Sequence, residues 1–334
     1  MHDLAKEITL KYLGLSVVLV LLLAISLTLG AVDVSVWAAL SDAWAGDVSA
    51  SRSIVFDVRL PRALLAVIVG AGLGMSGAAM QGLLRNPLAE PGVLGVSAGA
   101  ALGAVITLYF GFTAWGWLVL PAAAMVGSFV ALFAIYALAG RSQSVLVLIL
   151  AGVALNSLFG ALVAVALNFA DNMFALQEII FWLMGSLANR SMDHVMIALP
   201  TCVLGMALIY SRHAYLDALT LGDDTANSLG FSAGRERAML LAGIALAVGG
   251  GVAVAGSIGF VGLIVPHLLR PWAQHQPGKL LLLSALGGAL LVLGADLLVR
   301  HLDVARELKL GVVTALLGAP FFIYLLITGK RRLI

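Results

Sequence analysis

Residues 59–100 read RLPRALLAVIVGAGLGMSGAAMQGLLRNPLAEPGVLGVSAGA, and this stretch decides the fold. Residues 63–84 carry no charge, enough chain to cross a bilayer core of about 30 Å at about 1.5 Å per residue. Pro61 sits where a helix begins and its missing N–H costs nothing. Gly70, Gly74 and Gly77 fall on one face, which predicts close helix packing. Arg85-Asn86-Pro87 ends the helix at a membrane surface, and Pro91 opens the next one.

The rest of the chain has the same character. Of 334 residues, 62% are hydrophobic and 11% charged, and the mean hydropathy is +1.07. A soluble domain carries about 25% charged residues, so lipid is the expected solvent for most of this chain. A net charge of +2 gives no footing for nucleic acid. The single cysteine, Cys202, excludes an internal disulfide and reads as a small core residue.

Charged residues punctuate the spans. The sequence predicts an all-α membrane protein of about ten transmembrane helices. They fall at 12–32, 63–84, two within 91–140 broken near Gly111, Gly116 and Pro121, 142–170, 195–211, two within 238–269, 280–299 and 310–329. The pair in 238–269 is expected as a full helix to about Ala255 and a short one past His267. The first run has no obvious small-residue cleavage site after it and is expected to span rather than to be removed.

An even count puts both termini on one side. With the termini cytoplasmic, twelve of the 19 Lys and Arg lie inside, among them Arg85, Arg141, Arg212, Arg237, Lys330, Arg331 and Arg332. The seven outside are Arg52, Arg59, Arg62, Arg190, Arg300, Arg306 and Lys309. Two readings stand for the outer cations: interfacial snorkelling, or a basic surface for an acidic partner.

The 59–100 stretch, with its RLPR and MQGLLRNPLAEPGVLGVSAGA segments, resembles the FecCD family, the permeases of ABC importers for iron siderophores, haem and vitamin B12. LAGVAL (150–155), FWLMGSL (181–187), LGDDTANSLG (221–230), GFVGLIVPHLLR (259–270), ADLLVR (295–300) and ELKLGVVTALLGAPFFIYLL (307–326) agree in order, so the resemblance covers essentially the whole chain. It implies a vitamin B12 permease-like bundle, a single permease domain over 1–334, and a homodimer in the bacterial inner membrane. It also implies two separate ATPase subunits, which bind ATP and Mg, and a periplasmic substrate-binding protein. It assigns residues 214–236 as a cytoplasmic coupling segment, with Leu221, Gly222, Asp223, Asp224, Ala226, Leu229 and Gly230 meeting the ATPase.

The resemblance further suggests that Arg59, Arg62 and Arg300 receive carboxylates of the binding protein. Arg300 also lies four residues after Asp296, and an intrahelical ion pair is the competing reading. Asn156, Ser157, Asn168 and Phe169 are the candidates for lining a path between two copies, and Ser144, Val145 and Leu146 for its gate. The polar pair Asn156-Ser157 interrupts an otherwise apolar helix, where polar groups need partners or water.

Other classes find less support. No GxxxxGK[ST] loop occurs, so ATP hydrolysis is expected in another polypeptide and the chain itself is not expected to be an enzyme. No HExxH is present, no two histidines have i, i+4 spacing, and no metal site or bound cofactor is expected. His267 reads as packing, and His194 and His301 as outer-surface residues. An ion-driven secondary transporter needs acids deep in its helices, and Asp296 is the strong candidate for one. Among cargoes, ferric siderophore is placed first, then haem, then cobalamin.

Overall fold

The computed structural model describes residues 2–30, 32–139, 145–170, 172–302 and 308–330. Arg141, Ser144, Arg306, Arg331 and Arg332 lie outside the described residues.

The described residues form helices and turns. Helix α1 (His2–Thr28) is followed by a short α2 (Val36–Ala45). Next come α3 (Ala50–Ser53), a π-helical turn (Ile54–Arg59) and α4 (Leu60–Leu83), continuous over Ala50–Leu83. A 3-10 turn (Pro91–Leu94) leads into α5 (Val96–Tyr109), and another (Phe112–Trp115) into α6 (Val119–Ala139). Then come α7 (Val145–Asn168), α8 (Met173–Leu183), α9 (Met192–Tyr210), α10 (His213–Leu219) and α11 (Asp223–Ser228). Helices α12 (Ala233–Ala255), α13 (Val261–Leu269), α14 (Pro277–His301) and α15 (Leu310–Lys330) complete the chain.

Among the described residues each of the ten expected stretches holds a helix, and seven helices are long and apolar enough to cross a membrane. Helices α5 and α8 contribute shorter apolar segments. The break in 238–269 falls where the glycines predict it: α12 ends at Ala255, and Gly256, at φ 71°, turns the chain toward α13. Helices α2 and α8 were not anticipated. At 10 and 11 residues they are too short to register as spans.

Helix α4 is the centre of the bundle. Its glycine face meets α14 and α13 so closely that side chains have no room. A Cβ on Gly74 would stand 2.0 Å from the Ser284 carbonyl oxygen, and one on Gly77 would stand 2.0 Å from that of Gly262. The expected small-residue face is therefore a backbone-to-backbone contact, the packing that lipid-embedded helices use when no hydrophobic drive operates between them. Cys202 is fully buried, and its thiol donates to the Ala247 carbonyl at 3.3 Å, as a core residue does.

The chain direction gives the bundle two ends. Helix α1 finishes, α4 starts and α14 finishes at the Arg59 end. Helix α4 finishes and α12 and α14 start at the Asp223 end.

Candidate functional site

At the Arg59 end, basic side chains tie three helices together. Arg59 is 4% exposed, and its guanidinium donates to the carbonyls of Leu27 at 2.8 Å, Thr28 at 2.7 Å and Val32. The first two are carbonyls at the end of α1, which lack intrahelical partners and attract a cation. Asp296, 0% exposed on α14, accepts from Arg62 Nε at 2.9 Å and from Arg300 Nε at 2.8 Å. Arg300 also donates to the Ser26 carbonyl at 3.2 Å. All three arginines expected to receive carboxylates of a binding protein make contacts within the chain. Of the two readings of Arg300, the pair with Asp296 is the one seen, joined by an arginine from α4 that local spacing gave no hint of.

Between the two ends lies a cavity of about 410 Å³, lined by Glu90, Ser97, Asn156, Ser257 and Gly259 among others. It opens where the turn after α4, the first turn of α5, the middle of α7 and the α12–α13 break converge. Glu90 is held there by the backbone N–H of Phe260, which donates to its Oε1 at 2.8 Å. Burial pushes the Glu90 carboxyl above its ordinary range, partly offset by that hydrogen bond. Sequence reading found Asn156 but missed Glu90, Ser97 and Ser257. The available signal was that Glu90 is the only charge between Arg85 and Arg141.

The other path candidates share the open side of α7. Ser157, Asn168, Phe169 and Leu146 are exposed, and the Phe169 carbonyl accepts from Tyr109 Oη at 2.9 Å. Val145 opens α7. Around them Leu150, Val153, Leu158, Leu162 and Val165 are bare as well.

At the Asp223 end, α10 packs on the bundle through Tyr215, Leu216, Ala218 and Leu219 and carries the six-residue α11, most of whose residues are exposed. Asp223 and Ala226 turn inward, while Asp224, Thr225, Asn227 and Ser228 face out. Leu221 is 67% and Leu229 61% exposed, one on each flank. Gly222 and Gly230 take φ of 106° and 91°, so the short helix starts and stops abruptly on residues without a Cβ. Asp223 carries two ion pairs, to Arg85 and to Arg237, the latter at 2.5 Å.

The histidines are structural in their contacts. His267 packs edge-on against Phe321, and His194 completes the capping box of α9 with Ser191. Among the described residues no three His, Cys, Asp or Glu side chains are placed to hold a metal ion.

A family model described as the FecCD transport family matches residues 18–328. The chain belongs to this family. As a FecCD member it is a transmembrane ABC-transporter permease and not an enzyme. It is 42% identical over 292 residues to the vitamin B12 import system permease protein BtuC of Vibrio cholerae, covering 87% of each chain. It is 41% identical over 290 residues to the hemin transport system permease protein HmuU of Yersinia pestis, covering 84% of each. Among solved structures it resembles an inward-facing transporter described as of metal-chelate ABC type, with TM-score 0.83 and 34% identity over 95% of this chain and 98% of that one. The FecCD assignment rests on nearly the whole chain, including all three regions described above.

Proposed function

We propose that this chain is the permease subunit of an importer that carries a metal chelate across the bacterial inner membrane by alternating access. The whole chain acts as one permease domain with about ten crossings and both termini cytoplasmic. It works as a homodimer with two ATPase subunits, which bind ATP and Mg, and with a periplasmic binding protein. The Arg59 end faces outward and the Asp223 end faces the cytoplasm.

The observation that carries this reading is the exposed α11. A six-residue helix fastened to the bundle through Asp223 and Ala226, with Leu221 and Leu229 bare on its flanks and Asp224 between them, presents an apolar-and-acidic knob to a partner. Residues 214–236 are then the segment that engages the ATPase.

The exposed side of α7 supports the dimer. Asn156 and Ser157 stand on an otherwise apolar surface, and in hydrocarbon such groups need partners. A second copy closing over α7 turns that side and the Glu90 cavity into a path, with Ser144, Val145 and Leu146 at its cytoplasmic mouth. At the outer end Arg62 and Arg300 both meet the Asp296 carboxylate, with Arg59 at the same end. In this reading the three arginines mark the end at which the acidic binding protein docks, guided by charge complementarity. Exposed Trp37 and Trp44 on α2, and Trp115 and Trp117 between α5 and α6, lie at the same end, as residues at a membrane–water boundary do. Asp296, the acid the sequence offered for secondary transport, is engaged by two arginines.

Ferric siderophore stands first by sequence. The names of the two relatives put cobalamin and haem beside it. The test is reconstitution in proteoliposomes with the ATPase and the binding protein, supplying ferric hydroxamate siderophore, haem and cobalamin in turn. ATP-dependent uptake of one of them is expected. A stable chain that recruits no ATPase and moves solute only along an ion gradient overturns the reading.

A further inference from the structure

The coupling segment carries two adjacent acids, and the structure separates them. Asp224 faces out, whereas both carboxylate oxygens of Asp223 are taken by the permease itself. Oδ2 holds Arg85, in the turn just past the end of α4, and Oδ1 holds Arg237, near the start of α12, at 2.5 Å. Ala226, one turn along the same face, is buried beneath. On the preceding α10, Asp217 Oδ1 accepts from the Gly278 backbone N–H at 2.7 Å, at the start of α14. Two carboxylates thus join the α10–α11 segment to the cytoplasmic ends of three helices. Helices α4 and α14 then run to the opposite end, where Arg62 and Asp296 join them again.

We propose that Asp223 is a positioning residue: its carboxylate latches α11 to α4 and α12 and so carries movement of the ATPase into the transmembrane bundle. The inference rests on the importer reading above. The geometry separates this role from two simpler ones. Direct contact with the ATPase falls to Asp224, which faces out, rather than to Asp223, each of whose oxygens already holds an arginine of the permease. Stability is served mainly by the arm to Arg237, whose side chain is 10% exposed, whereas the side chains of Asp223 and Arg85 are 39% and 43% exposed, where solvent-screened ion pairs add little. What a single carboxylate bridging two helices does fix is the rotation and register of a short helix that is otherwise lightly held. Such a fastening leaves the fold intact when cut and alters what the fold transmits.

The test uses the full complex in proteoliposomes, with the ferric hydroxamate siderophore, haem or cobalamin that the unaltered complex transports. In Asp223→Asn the ATPase is expected to co-purify in unchanged stoichiometry. The ATP hydrolysed per cargo molecule moved is expected to rise about 5-fold or more, the lower end of ordinary coupling between sites. Asp223→Glu, which keeps the charge, is expected to restore much of the ratio. Loss of ATPase recruitment in Asp223→Asn overturns the latch in favour of direct contact, and an unchanged ratio overturns it outright. If Asp223→Asn does not accumulate, Arg85→Gln cuts one arm at an exposed site, and the same ratio decides. Failure of the unaltered complex to bind the ATPase sinks the importer reading and is seen before any variant is made.

Discussion

The carboxylate of Asp296 on α14 receives the guanidinium Nε of Arg62 on α4 at 2.9 Å, across a separation of 234 residues, in a site where Asp296 is fully buried. Arg300, one turn further along α14, completes the triad. Removing one partner of such a group leaves buried charge uncompensated. Asp296→Ala is expected to destabilise the chain by about 3–5 kcal/mol, read as a fall in thermal midpoint in detergent. Charge reversal at Arg62 reports on folding before it reports on docking. The docking role of this end is better tested by salt: binding-protein affinity should fall as ionic strength rises toward about 1 M in the unaltered complex. Salt-independent docking would remove the electrostatic part of that role.

The contact of α4 with α14 makes a second expectation. Gly74 stands where a Cβ would lie 2.0 Å from the Ser284 carbonyl oxygen, so Gly74→Ala forces two backbones apart. A loss of about 1–3 kcal/mol or more is expected. Gly14, inside α1 with nothing within 4 Å of its Cβ position, is the control, and Gly14→Ala should leave the thermal midpoint unchanged or slightly raised. Equal tolerance at both positions contradicts the close approach.

Leu221 and Leu229 flank α11 and touch water in the lone chain. If each is buried against an ATPase, its removal forfeits roughly 1.5–3 kcal/mol, about 10- to 100-fold in affinity. Leu221→Ser and Leu229→Ser should therefore lower ATPase co-purification while leaving the permease's own thermal midpoint in place. Full recovery of the ATPase with both variants places the contact elsewhere.

Glu90 provides a pH dependence. Its folded-state carboxyl is raised by burial, so the folded chain holds this proton more tightly than the unfolded one. The group's contribution is greatest below the ordinary glutamate value of about 4.3 and is lost as pH rises through the raised folded value. Glu90→Gln keeps an oxygen for the Phe260 N–H and removes the titration. The variant should show a flatter stability–pH curve above about pH 4.3 than the unaltered chain. Parallel curves count against a raised carboxyl.

Much of this architecture is legible in the sequence because it is written locally. The charge-free runs set the spans, and Gly256 and Gly259 mark the α12–α13 break. The glycine face of α4 announces close packing before its partner is known. The short α2 and α8 escaped because neither length nor composition separates 10 or 11 apolar residues from a loop at the membrane surface. The polar cavity was half legible: Asn156 stood out inside an apolar helix, whereas Ser97 and Ser257 are unremarkable until three other elements converge on them.

The sequence by itself determined that the chain lives in lipid, where its helices break, which family its motifs resemble, and that Asp296 and Arg300 are within reach of each other on one helix. Only the tertiary structure decided which charges are free. Helical spacing sees a partner four residues away. It does not see Arg62 reaching Asp296 across 234 residues, nor Asp223 gathering Arg85 and Arg237 while its neighbour Asp224 faces out. The physical reason is that burial removes water as the alternative partner for a charged group. The group then takes whichever opposite charge the packing of distant helices brings beside it.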